Sequence, residues 1–224
     1  MSASQQLLRL LHLASPALPI GGFHFSQAQE YAVEAGWVRD ETTALQWISG
    51  LARNAFGTLD LPVLSRLHDG WYQQDLESVR RWDALLIASR ETAELRAEDR
   101  HMGGALLRIL LDLKVISPER AAQTPTQGYA AAFALACVRY EVRKADALQA
   151  FAWAWAENQV LAAVKLVPLG QSAGQRILDA LIPCLTQVAA AALTLQDEEI
   201  GVCAVMQGIA SARHESQYTR LFRS

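Results

Sequence analysis

The sequence predicts an all-α fold, a single-domain bundle of roughly eight to ten helices, on three observations. Apolar residues recur at three- and four-residue steps in almost every segment, as they do along one face of a helix. Runs of Val, Ile, Thr and aromatic residues bounded by hairpin turns, which would mark strands, are missing. Cap and stop residues then place the boundaries between successive helical segments.

Taken in chain order, Ser26 with Gln29 three residues later makes a capping box, and Gly36 stops the helix that follows. The next helix begins at Asp40 and carries Ala44, Leu45, Ile48, Leu51, Ala52 and Ala55 on one buried stripe. Asp60 with Pro62 opens another, closed by Gly70, and Val79, Trp82, Leu85, Leu86 and Ser89 give its successor a mainly apolar face. From Glu91 to Leu113 a polar half, ETAELRAEDRH, passes through Gly103 and Gly104 into ALLRILLDL. The polar half is expected to be exposed and the apolar half buried, with the glycine pair marking a close contact or a kink. Ser117 and Pro118 form an N-cap and first-turn pair; Thr124, Pro125 and Gly128 mark a loop before the alanine-rich helix YAAAFALACVRYE. Asp146 to Val167 is apolar nearly all round, the pattern of a central helix, and Pro168 with Gly170 ends it. A last long helix runs from Gln171 to Leu195, where Pro183 is expected to bend it.

Composition narrows the function. With 224 residues, 51% of them apolar and 19% charged, the chain suits one domain, residues 1–224, with a substantial core. The net charge of −3, with Lys and Arg dispersed, gives no footprint for nucleic acid. Cys137, Cys184 and Cys203 sit in apolar surroundings and are odd in number, so buried, reduced thiols in a cytoplasmic protein are expected. The N-terminus lacks the basic region of a signal peptide. The most apolar stretches are interrupted by Glu157 and Lys165 or by Asp179 and Pro183, so no membrane-spanning helix is expected.

No motif for nucleophilic, metal or phosphate chemistry is present, and His12, His24, His68, His101 and His214 never fall four residues apart. Neither an enzyme nor a stable metal site is expected. Three features need an account. Residues 14–30, ASPALPIGGFHFSQAQE, turn sharply and present Phe23, His24 and Phe25; the phenylalanines either plug the core or line an interface. The tail, residues 212–224, interleaves Tyr218 and Phe222 at four-residue spacing with Arg213, Arg220 and Arg223; it is either a frayed end or a segment that orders on a partner. On the central helix Glu157, Leu161 and Lys165 stack at four-residue steps, so Lys165 either snorkels, pairs with Glu157 or serves a contact surface.

These segments carry a family resemblance. LASPALPIGGFHFSQAQEYAVEAGWV resembles the N-terminal signature of the UreF urease accessory family, ASARHESQYTRLFRS resembles its closing one, and ENQVLAAVKLVPLGQSAGQRIL is similar between them. His24 stands where a small hydroxyl residue is expected, Ala28 where glycine is expected, and Ala212 where methionine is common. The resemblance implies a helical, non-catalytic protein that dimerises and binds the accessory protein UreD, called UreH in some organisms. Together they recruit the GTPase UreG onto the urease apoprotein, with nickel in transit through the complex and no cofactor held stably by this chain. Activation of the GTPase by an arginine supplied in trans is one mechanism open to it; a helical scaffold of a different assembly is the alternative. The expected partner-binding residues are Gly21, Gly22, Phe23, Phe25 and Ser26 in the turn, Lys165, and Arg213, His214, Glu215, Gln217, Tyr218, Arg220, Leu221, Phe222 and Arg223 in the tail. Deleting the tail from His214 onward is expected to leave a folded core that no longer captures the UreD-type partner.

Overall fold

Local caps start many of the helices. Helix α1 (Ala3–Ala14) begins at Ser2, whose hydroxyl accepts from the Gln5 amide while the Gln5 side chain returns to the Ser2 amide. Helix α3 (Glu41–Leu51) begins at Asp40 in the same way, with Thr43 as the reciprocal partner. Between them lie a 3-10 turn, Gly22–His24, and the short α2 (Gln29–Glu34). The computed structural model describes residues 1–224 except 123 and 125–127, so Pro125 lies outside the described residues.

The largest departure from expectation follows α3. No new helix opens at Asp60: the chain passes through a π-helical segment, Ala52–Asp60, directly into α4 (Leu61–Gln73). The wider turn leaves carbonyls for other donors, and the amides of Gly201 and Cys203 bond to Thr58 and Asn54. Gly57 lets this segment approach the long α10 (Gln171–Ala192), because a Cβ there would stand 2.9 Å from the Val188 Cβ. Gly70 is not a stop either. It lies inside α4, where a Cβ would meet Val79 Cγ2 of α5 (Leu76–Ala88) at 2.9 Å, and α4 ends instead at left-handed Gln74.

Helix α6 (Ala93–Asp112) runs unbroken through Gly103 and Gly104. Its polar half is only partly exposed: Glu98 and Asp99 are buried, because distant groups supply them with partners. The short α7 (Pro118–Ala122) starts after Ser117, which accepts from the Arg120 amide. In α8 (Tyr129–Arg139) every residue from Ala130 to Cys137 is buried, and its small side chains let α4 and α6 pack closely on it. Helix α9 (Lys144–Leu166) packs against α10, α1, α2, α3, α4 and α8, and so forms the centre of the bundle. After α10 a 3-10 turn, Asp197–Glu199, leads to α11 (Val205–His214).

All regular structure among the described residues is helical, and one continuous core joins the elements. No helix among the described residues is long and apolar enough to cross a membrane. Cys137 and Cys184 are buried as expected, but Cys203 is exposed on the loop that caps the π-helical segment.

Candidate functional site

The turn and the tail, at opposite ends of the sequence, meet on one face. Gly21 takes a left-handed φ of 78°, which reverses the chain ahead of the 3-10 turn. Phe25 is buried edge-on to His101. Ser26 does not form the expected capping box with Gln29. Its amide and hydroxyl both donate to the main-chain oxygen of Ser224, at 2.8 and 2.6 Å, and its own hydroxyl oxygen accepts from the Glu30 amide. Gln27 and Ala28 follow with φ of 53° and 70°. Ala28 occupies the position where the resemblance leads one to expect glycine, and that backbone conformation is one glycine adopts without steric cost.

Carboxylates of α2 and α6 receive the tail, Glu30 and Glu98 buried and Glu94 partly so. Glu30 accepts from the amides of Leu221 at 2.7 Å and Phe222 at 2.8 Å, and lies 3.4 Å from His214 Nε2. Glu94 holds the other ring nitrogen of His214 at 2.6 Å and also pairs with Arg220. Glu215 accepts from the amides of Ala93 and Glu94, which places a carboxylate at the N-terminus of α6. Glu98 accepts from Gln27 Nε2 at 2.8 Å and from the Ser224 hydroxyl at 2.7 Å. Helix α9 completes the frame: Trp155 donates to Gln27 Oε1 and Asn158 to the Phe25 carbonyl. The ammonium of Lys165 lies 5.8 Å from the Phe23 ring centre and 5.6 Å from that of Phe222, so one cation spans turn and tail. Among the described residues no ion pair joins it to Glu157.

The tail is therefore not a helical stripe awaiting a partner. Helix α11 stops at His214, and beyond it turns direct Phe222 inward, 7% exposed, and Tyr218 and Leu221 outward, 103% and 77% exposed. Phe25, Ser26, His214 and Phe222 are buried in the chain's own core, while Gly21, Gly22 and Gln217 are half-buried. Phe23, Lys165, Arg213, Glu215, Arg220 and Arg223 are exposed, so the surface offered by this junction is aromatic and arginine-rich. Sequence reasoning missed the carboxylates Glu30, Glu94 and Glu98. The four-residue spacing of Glu94 and Glu98 puts them on one face of α6, but nothing local says that the face is covered.

Beside the junction a second charged group is buried. Arg90 bonds Asp60 at 2.5 and 3.3 Å and Asp99 at 2.9 Å. Burial opposes its charge, but the two carboxylates more than offset this and hold the guanidinium protonated; burial pushes Asp60 upward in spite of Arg90. Glu98 has only neutral hydrogen-bond partners, and burial pushes its pKa from 4.5 to about 7. Its stabilising share is present below the unfolded value and lost as pH rises through about 7, the reverse of a salt-bridged carboxylate. Glu98→Gln is accordingly expected to raise the melting temperature, and by more at about pH 8 than at about pH 5. Equal melting curves for the two proteins at both pH values would refute this.

Among the described residues no three His, Cys, Asp or Glu side chains stand close enough to hold a metal ion. The family model described as UreF matches residues 38–182 of the chain. The protein named urease accessory protein UreF in Teredinibacter turnerae is 47% identical over 224 residues, covering 99% of this chain and 100% of that relative. Its namesake in Alkalilimnicola ehrlichii is 45% identical, covering 96% of this chain and 95% of the relative. That from Chromohalobacter salexigens is 43% identical, with 97% and 94% covered.

Proposed function

Because the chain belongs to the UreF family, we propose that it serves urease maturation as a non-catalytic adaptor, bridging the UreD- or UreH-type accessory protein and the UreG GTPase on the urease apoprotein. The observation that carries this reading is the junction itself. Buried hydrogen bonds fix two segments nearly two hundred residues apart, and the same turns leave Tyr218 and Leu221 standing in solvent. Aromatic and arginine side chains on a rigid support are the composition of interface hot spots. Catalysis is a poorer fit, since His214, with a carboxylate at each ring nitrogen, is wholly buried and has no route to a substrate. Nickel is cargo in this reading, passing through the complex rather than residing on this chain. In this reading the adaptor works as a cytoplasmic homodimer and an arginine acts on the GTPase, for which the exposed Arg213 and Arg223 are the candidates.

The test is capture of partners by the tagged chain expressed with the other urease proteins, omitting each in turn. Capture of the GTPase only when the UreD-type protein is present supports bridging; capture of neither overturns it. The double variant Tyr218→Ala, Leu221→Ala is expected to weaken capture of the UreD-type partner by roughly tenfold or more, since a pair of anchors is worth about 2 kcal/mol or above. Its melting curve should match the parent, because both side chains are exposed. Undiminished capture would place the interface elsewhere.

Lys165→Ala separates the roles of the cation. Losing an exposed cation–π bridge is expected to cost about 1 kcal/mol of stability or less. A larger fall in urease activation is expected, because the turn and tail lose their common tie. A sharp drop in melting temperature with normal activation by the folded fraction would make the lysine purely structural.

A further inference from the structure

A cleft opens beside the junction, between α1 with its following turn, the π-helical segment, α6 and α9, with a cavity volume of about 120 Å³. Its walls are apolar and aromatic. Phe56 and Trp155 are stacked with ring centres 4.5 Å apart, and Met102, Leu161 and Leu18 line the remaining sides. Its charged lining is unbalanced. Asp60, Glu91, Glu98 and Asp99 all reach it, against Arg90, whose guanidinium is already committed to Asp60 and Asp99. Glu98, 5% exposed, has one neutral donor on each oxygen. Burial of a carboxylate that no cation touches is costly, and although the charge of Arg90 works the other way, burial displaces its pKa upward to about 7.

We propose that this cleft binds a small organic cation with an apolar body, a primary ammonium or amidinium whose head reaches Glu98 and whose body lies against Phe56 and Trp155. The charge follows from the lining, where the Glu98 carboxylate borders the cavity with only neutral groups bonded to it. The organic character follows from two facts. Among the described residues no three ligating side chains form a metal cage, whereas a hydrogen-bonding cation needs a single carboxylate and a dry wall. The aromatic pair suits both an apolar body and a cation passing over the Trp155 ring. Arg90, fixed by its two aspartates, holds the floor of the cleft in place without competing for Glu98. This inference stands apart from the adaptor role: partner capture does not enter its test.

Calorimetry on the full chain with 2-phenylethylammonium and with neutral 2-phenylethanol tests it. The cation is expected to bind saturably at one site and roughly tenfold more tightly than the alcohol, the usual advantage of a charge-assisted hydrogen bond. Glu98→Gln keeps the fold and the side-chain shape, so it should remove that advantage and leave the alcohol unchanged. Ala154→Phe, which fills the cleft from α9, should abolish binding of both compounds while leaving a cooperative melt. Absence of saturable binding, equal binding of cation and alcohol, or a preference that survives Glu98→Gln would overturn the proposal. So would stoichiometric binding of nickel chloride that Glu98→Gln removes, because the floor would then be a metal site.

Discussion

Removal of residues 214–224 is expected to unfold the protein rather than to release a soluble core. Glu30 would lose the amides of Leu221 and Phe222 together with His214; Glu94 would lose His214 and Arg220; Glu98 would lose the Ser224 hydroxyl. Breaking one buried charged arrangement on one side costs about 3–5 kcal/mol. Whole domains hold only about 5–15 kcal/mol in reserve. Phe222 adds a buried aromatic whose loss is worth about 3–5 kcal/mol by itself. The melting temperature should therefore fall by about 10 °C or more, with broadening or loss of the cooperative transition. Adding Glu30→Gln and Glu94→Gln to the truncated chain should recover part of the loss, since uncharged amides tolerate burial better. A truncated chain that melts with the parent would show that the tail contributes nothing to the core. This also makes truncation a poor probe of partner binding, for which the exposed Tyr218 and Leu221 are the cleaner targets.

Arg90→Met should be comparably damaging. Methionine fills most of the volume but leaves Asp60 and Asp99 buried with no cation between them, at a cost of about 3–5 kcal/mol. The sign of its pH dependence is fixed by Asp60, whose folded pKa already lies above 3.8 because of burial and rises further without Arg90. The folded variant thus binds its proton more tightly than the unfolded chain. The deficit is smallest at acid pH and grows as pH rises through the folded value. Urea unfolding at about pH 5 and about pH 7.5 reads both effects. Asp60→Asn with Asp99→Asn in the same chain should restore most of the stability, as neutral amides can still accept from the Tyr129 amide. An unchanged urea midpoint for Arg90→Met alone would mean that the group is solvated and the cleft floor is not held by it.

The helical class and several helix starts were legible in the sequence, because a cap is a contract between residues three apart. Asp40 with Thr43, and Ser117 with the Arg120 amide, needed nothing beyond their own neighbours. The two unusual segments were legible as well, through Pro, Gly, aromatic and arginine residues in places where a plain helix or a frayed end would not have them. Their meeting was not. Ser26 gave up its expected capping box for an acceptor 198 residues away, and no local rule weighs a partner at that distance. Tyr218 and Phe222 were placed on one face by assuming a helix; once α11 ends at His214 the period lapses, and the turns send one ring into solvent and the other into the core. Glu94 and Glu98 read as surface because charged residues usually are, yet His214, Arg220, Gln27 and Ser224 arrive from elsewhere to satisfy them. Which segments are helical and which are unusual can be read along the chain, since those depend on dihedrals and neighbours. Which charges are buried cannot be read that way, because burial is a property of what the rest of the folded chain brings to a residue.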